Sequence, residues 1–392
     1  MKMSSIPGGH ANILEAELRE MFGVDGCAGV RHVDLDIQDA PEGCDAGMIV
    51  LWRGGLPVGH LLRASDGECR IAPMATARDS SLIAPVLDLP SASVVICTRD
   101  RPNELRRCLA SLPRQTFPPE EVIVVDNASR GGETREVALA AGAVYVREDR
   151  PGLDIARNRG ALRATSQIVA YTDDDVLLHP QWLERLVTAF DSPSIGAVTG
   201  LVLPAELATE AQRYFETFWS FGQGYTPRIF RAADFAASRH EVFPAWKIGA
   251  GASMAFRRDV FDHAGLFDER LDVGQAGCSG DSEYWYRLLA NGYDCRYQPT
   301  SVAFHFHRRT MEGLAKQIYS YMRGHSAALL VQHERTGVKA NLTQVLKWKP
   351  LWYLGRVRRR LLGRRVPEDH FLWQEIAGYA SGILFYLRTR RG

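Results

Sequence analysis

Two periodicities alternate between Ser93 and Leu203, and that alternation limits the chain's fold more than any other feature. The run SVVICT (93–98) reads as a buried strand, and NELRRCLASL (103–112) spaces its apolar residues as an amphipathic helix does. The strand pattern returns in EVIVVDN (121–127), AVYVRED (143–149), QIVAYT (167–172) and IGAVTGLVL (195–203). Between them ETREVALAAG (133–142), DIARNRGALRAT (154–165) and PQWLERLVTAF (180–190) read as helices, the last opening at Pro180. Alternation of this kind predicts a mostly parallel sheet flanked by helices, because parallel neighbours need a long crossover. Ligands of such sheets sit outside the carboxyl ends of the strands. Three polar groups fall at such ends: Thr98-Arg99-Asp100, Asp126-Asn127 and Asp173-Asp174-Asp175.

The acidic triplet is the sharpest of the three. Two ionised carboxylates about 5 Å apart repel by roughly 3 kcal/mol at an effective dielectric near 20, so a strand end carrying three calls for a cation. A solvated loop is the bland alternative. A capping role is not, since the following helix starts too late for it.

The flanking regions differ in pattern. RHVDLDI, GMIVLWRGGLPVGHLLR and CRIA predict a small β-rich region over residues 1–90, with Arg53-Gly54-Gly55 as a hairpin turn and 82–90 as a linker. Residues 204–246 are aromatic-rich and without a clear period, suiting either helices over a cleft or ordinary core. Seven cysteines, odd in number and without a C-x-x-C pair, indicate neither a disulfide framework nor a zinc site and fit a reducing cytoplasm. The N-terminus lacks an apolar signal-type core, and no apolar run is long enough to span a membrane. A net charge of +1 argues against nucleic-acid binding.

Taken in order, VVICTRDRP, VIVVDNAS, GLDIARNRG, YTDDD, GAGASMAFRR, GDSEYWYRLLANGY and AFHFHRR resemble the inverting family 2 glycosyltransferases, over roughly residues 91–310. The resemblance implies an α/β architecture of GT-A type. A catalytic domain would occupy 91–312, between the β-rich N-terminal domain (1–90) and a helical basic C-terminal extension (313–392). It implies transfer of a sugar from a UDP-, dTDP- or GDP-linked donor to a hydroxyl acceptor, with Mn²⁺ or Mg²⁺ as cofactor.

By the same resemblance Asp175 is expected to bind the metal, with His305 as a further ligand; His307, on the same side of the strand, is its competitor. Asp173 would face the ribose or sugar, and Asp174 would lie in the same nucleotide-sugar site. Asp126 would recognise the base, although it also suits a turn that bonds the backbone of Ala128 or Ser129. Thr98 and Arg99 would line the nucleotide pocket, and Arg157 would lie near the diphosphate unless it only solvates a helix face. Gly249 and Gly251 would allow close approach of a ligand to the backbone. Asp281 is the expected general base, with Glu283 in reserve. The family usually has a Glu-Asp pair here; this chain has Gly280-Asp281, so the first acid is missing. Asp281 also suits a helix N-cap.

Between Glu334 and Glu368 no acidic residue occurs, while Lys347, Lys349, Arg356, Arg358 to Arg360, Arg364 and Arg365 interleave with Trp348, Trp352, Leu361 and Leu362. That mixture predicts contact with an anionic membrane surface or, alternatively, helices with a solvated basic face. Contact would make the protein peripheral on the cytoplasmic face, its acceptor a lipid-linked glycan and its process envelope polysaccharide or glycolipid assembly. Three rival functions remain. A dehydrogenase wants G-x-G-x-x-G where the chain has CTRDRPNELR. A nucleotidyltransferase wants a glycine-rich phosphate loop at the same place. A non-catalytic nucleotide-sugar-binding module is compatible with the missing acid.

Overall fold

A computed structural model describes residues 28–36, 38–44, 46–64, 67–74, 89–238, 240–272 and 275–390; most of the expected 82–90 linker lies outside the described residues. Strands β1 (Val30–Asp34), β2 (Met48–Arg53), β3 (Leu56–Arg63) and β4 (Cys69–Ile71) form one sheet in that order. Gly54 and Gly55, at φ 57° and 71°, turn β2 back into β3 as the Arg53-Gly54-Gly55 reading expects. Met48, Val50 and Trp52 of β2 join one buried apolar cluster with Leu203, Val302 and Phe304 of the larger sheet.

Two of the cysteines pair, contrary to the expectation from their spacing. Cys44, ahead of β2, and Cys69, opening β4, form a disulfide with a Cα–Cα distance of 5.8 Å. Their 25-residue separation carries no local signal, and the sheet alone brings them together. Disulfides belong mainly to oxidising compartments, so the cysteines give no support to a reducing cytoplasm.

Every strand and helix expected between Ser93 and Leu203 is present. In chain order they are β5 (Ala92–Thr98), α1 (Pro102–Ser111), β6 (Glu121–Asn127), α2 (Glu133–Ala140), β7 (Val144–Glu148), α3 (Leu153–Arg163) and β8 (Ile168–Asp173). An unforeseen short strand, β9 (Val176–Leu178), precedes α4 (Trp182–Thr188) and β10 (Ile195–Pro204). Helix α4 starts two residues beyond Pro180, because Gln181 has a non-helical ψ of 11° and the Trp182 amide donates to the His179 carbonyl.

The rest comprises α5 (Glu210–Trp219), β11 (Arg228–Phe230), α6 (Ala232–Ala237), β12 (Ser253–Arg257), α7 (Val260–Ala264), α8 (Gly280–Ala290) and β13 (Asp294–His305). Then follow α9 (Met311–Thr336), α10 (Lys339–Thr343), α11 (Lys349–Leu361) and α12 (Leu372–Thr389).

The large sheet runs β11-β13-β10-β12-β8-β5-β6-β7, with β9 paired to β13. Its β8-β5-β6-β7 half is parallel, while β12 lies antiparallel between β8 and β10. The centres of β5 and β6 are apolar, as burial on both faces requires: Val94, Val95, Ile96, Ile123, Val124 and Val125 are completely buried. Helix α5 opens with a capping box between Thr209 and Gln212 and packs Tyr214 and Phe215 against Leu314 and Ile318 of α9. The aromatic-rich stretch is thus core at α5.

In the C-terminal region α9 and α12 pack together, and Arg356 is buried between Asp369 (2.6 Å) and Glu375 (2.7 Å). Part of the basic charge is therefore structural. No helix among the described residues is long and apolar enough to cross a membrane.

Candidate active site

Strand β8 ends at Asp173, and the turn into β9 carries Asp174 and Asp175 back under the first loop of the sheet. Thr98, at the end of β5, donates its hydroxyl to Asp174 Oδ2 at 2.7 Å. Arg101 spans two of the carboxylates, with Nη1 2.6 Å from Asp174 Oδ1 and Nη2 2.7 Å from Asp175 Oδ2. Charge-assisted pairs of this length are the strong class of hydrogen bond. The triplet thus has a cation of its own, which no sequence argument assigned to Arg101. Arg99 is half-exposed, with its Nε 4.0 Å from Asp100.

On its other side Asp175 meets β13. His305 Nε2 lies 3.3 Å from Asp175 Oδ1. His305 Nδ1 is 3.0 Å from His307 Nδ1, and His307 Nε2 is 3.1 Å from Glu216 Oε2 on α5. Of the two competing histidines, His305 faces the triplet and His307 stands behind it. One ligand atom each from Asp173, Asp175 and His305 lie within 4.8 Å of one another. Two carboxylates and an imidazole suit Mn²⁺, and the carboxylates alone suit Mg²⁺.

The electrostatics match this geometry. Burial opposes ionisation of Asp175, but His305 and Arg101 outweigh it and hold the carboxyl well below its usual range. Burial, together with the Asp175 charge, pushes Asp174 up to about 7. Burial also raises Asp173.

A second group adjoins the first. Arg157 is buried, not on a solvated helix face; its Nη1 donates to Asp154 Oδ1 at 3.0 Å and its Nη2 lies 4.0 Å from Asp173 Oδ1. Asp281, in the first turn of α8, accepts from the Gly251 amide at 3.0 Å and from the Ser282 amide at 2.6 Å. A Cβ on Gly251 would lie 2.6 Å from Arg157 Nη2 and 2.8 Å from Asp281 Oδ2. Glycine at 251 therefore lets a base candidate and a buried guanidinium approach one another. The expected opening for a ligand is occupied by protein here, as it is at Gly249, where a Cβ would lie 2.5 Å from that of Thr199.

Two expected residues lie apart from this group. Glu283 is fully buried on another face of α8, held by Arg287 Nε (3.1 Å) and Nη2 (2.8 Å), so it cannot serve as a reserve base. The carboxylate of Asp126 is enclosed: it accepts from the Ser129 amide (3.1 Å), Tyr145 hydroxyl (2.7 Å) and Arg147 Nη1 (2.9 Å). These bonds, with burial opposing, hold it below the usual carboxylate range. The turn contact to Ser129 is thus present, and Arg147 stands between Asp126 and solvent. Reasoning from sequence missed Arg101, Asp154 and Glu216. Arg101 stood within the quoted loop TRDRP, whereas Glu216 lies 91 residues from its partner in a stretch without period.

Residues 93–265 match the family model Glycosyl transferase family 2. Glycosyltransferase AglE of Haloferax volcanii is 27% identical over 239 residues, covering 58% of this chain and 71% of that protein. The glucosyl-dolichyl phosphate glucuronosyltransferase of the same organism is 28% identical, covering 47% of this chain and 58% of its own length. Validoxylamine A glucosyltransferase of Streptomyces hygroscopicus subsp. limoneus is 34% identical, with 52% and 49% covered. The chain thus spans only about half the length of the last two. Among solved structures, the mannosyltransferase PcManGT from Pyrobaculum calidifontis, in complex with GDP-Man and Mn²⁺, aligns with a TM-score of 0.51 at 18% identity. That alignment covers 77% of this chain and 90% of the other, and at that identity it speaks for the fold alone. Residues 93–265 thus carry a glycosyl transferase family 2 domain, on a fold of GT-A type.

Proposed function

We propose that the protein is a metal-dependent inverting glycosyltransferase that moves a sugar from a UDP-, dTDP- or GDP-linked donor to a hydroxyl acceptor. The observation that carries this reading is the pairing of two groups at the carboxyl end of the sheet: the Asp173, Asp175 and His305 ligand atoms, and Asp281 beside Arg157. Asp173, Asp175 and His305 would hold Mn²⁺ or Mg²⁺, which as a Lewis acid offsets the charge of a leaving diphosphate. Arg157, buried and always charged, faces the same region and contributes a fixed positive charge. Asp281 takes the proton of the acceptor hydroxyl. The acceptor oxygen then bonds to the anomeric carbon as the carbon–oxygen bond to the diphosphate breaks, so configuration inverts and a nucleoside diphosphate leaves. Calorimetric titration of UDP, GDP and dTDP, with Mn²⁺ and again with EDTA, tests the donor side. Binding of one nucleotide that EDTA abolishes is expected; binding of none would overturn the reading.

The acceptor reading draws on the C-terminal region and on the dolichyl phosphate in one relative's name. Around α11, Leu346, Trp348, Leu351, Leu354, Leu361 and Leu362 are all more than half exposed. Lys347, Arg358, Arg364 and Arg365 are exposed among them. Exposed apolar side chains interleaved with basic ones fit the boundary of an anionic bilayer. On this reading the acceptor is lipid-linked, as in envelope polysaccharide or glycolipid assembly. The protein should float with vesicles containing phosphatidylglycerol but not with pure phosphatidylcholine. Replacing Leu351 and Leu354 together by Glu should abolish flotation and leave nucleotide binding intact. Equal flotation of the two proteins would exclude this face.

A further inference from the structure

The first residue of α8, Gly280, has no side chain, and the structure shows what fills that space. A Cβ at Gly280 would lie 1.7 Å from Asp154 Oδ2 and 2.6 Å from Asp154 Oδ1. No side chain fits at 280 while Asp154 holds its place. Asp154 is 2% exposed, in the first turn of α3, and its carboxylate accepts a hydrogen bond from the Arg157 guanidinium at 3.0 Å. Arg157 in turn faces Asp173 at 4.0 Å and lies against the Gly251 backbone beside Asp281.

We infer that Asp154 is a positioning residue for the transfer reaction. It delivers from α3 a carboxylate to the start of α8, where position 280 supplies none, and it fixes Arg157 between the metal-ligand candidate Asp173 and the base candidate Asp281. Two independent features carry this inference. The first is steric: Asp154 and a side chain at 280 are mutually exclusive. The second is electrostatic. A buried carboxylate without a partner is costly, and Asp154 keeps its place through one guanidinium that Asp173 and Asp281 also face. The arrangement therefore behaves as a unit: moving Asp154 moves Arg157, and a shift of about 1 Å in such a group lowers a rate by roughly 100-fold.

This inference rests on the reading under Proposed function, and a set of variants separates the two. The assay is release of nucleoside diphosphate from UDP-glucose, dTDP-glucose and GDP-mannose with Mn²⁺, followed by kcat and KM on the donor that the wild-type protein turns over. Asp154→Asn keeps the shape and removes the charge; it should lower kcat by about 100-fold in protein that a melting curve shows to be folded at the assay temperature. Gly280→Glu alone should fail to fold or lose all turnover, because its Cβ already overlaps Asp154. The combination Asp154→Ala with Gly280→Glu should regain at least about tenfold over Asp154→Ala, and Asp154→Ala with Gly280→Gln should not. If Gln restores turnover as well as Glu does, Asp154 only fills space and the inference is overturned. If the double variants do not fold, Asp154→Asn decides: a kcat within about twofold of wild type overturns the role. A wild-type protein that turns over none of the donors overturns the glycosyltransferase reading and this inference with it. A wild type that is active, with Asp154→Asn equally active, overturns the inference alone.

Discussion

Asp281→Asn is expected to lower sugar transfer by roughly 10²- to 10⁴-fold while leaving metal-dependent nucleotide binding within about a factor of two, the range a positioned general base supplies. Asn has nearly the shape of Asp and keeps one acceptor oxygen for the Gly251 amide, so the α8 terminus should survive the change. What it loses is the capacity to take a proton. The residue has no nearby substitute: Glu283 is sealed against Arg287, and Asp154 is engaged with Arg157. Single-turnover measurements on the natural acceptor, with calorimetry on the same protein, separate the two effects. Full turnover in Asp281→Asn would remove Asp281 from the chemistry. A wild type that binds donor and never transfers would favour the non-catalytic binding module instead.

Asp175→Asn should abolish metal-dependent nucleotide binding, weakening it by more than about 100-fold, since loss of a mere supporting contact around a metal already costs 10- to 100-fold. Asp175 is the hinge of the site. One oxygen is paired with Arg101 and the other faces His305, so the substitution alters the donor set from two sides. A melting curve is the necessary control, because Arg101 would lose one of its two carboxylates. The opposite outcome is informative as well. If nucleotide binds the wild type equally well with Mn²⁺ and with EDTA, Arg101 and Arg157 suffice to neutralise the triplet. The acidic run would then be a structural network of ion pairs.

Much of the fold was legible in the chain because its signals are local. A strand buried on both faces must be apolar throughout, as Val94 to Ile96 are, and an amphipathic helix must repeat near 3.6 residues, as Leu105, Cys108 and Leu109 do. The Gly54-Gly55 turn was readable for a similar reason, since positive φ at two successive residues is cheap only for glycine. The start of α4 was misplaced because Pro180 is compatible with both a first helical turn and the bend before one. Strand β12 and its antiparallel insertion were not foreseen: SMAFR is only five residues long, and its partners β8 and β10 lie far away in sequence.

The site divides along the same line. The alternation of strand and helix patterns located the carboxylates at strand ends, because a strand end is where its pattern stops. Which side chains meet there depended on packing between distant segments. Thr98 and Asp174 are 76 residues apart, and His307 and Glu216 are 91 apart. Arg101 pairs with two carboxylates of the triplet, Asp174 and Asp175, and Asp154 occupies the space that makes Gly280 necessary. Periodicity reports the environment of each residue along its own element; side-chain partners are set by how elements remote in sequence are laid against one another. The chain alone therefore determined the parallel half of the sheet and the carboxylates at its strand ends, while the packing of α3, α5 and α8 against those ends determined their charge partners.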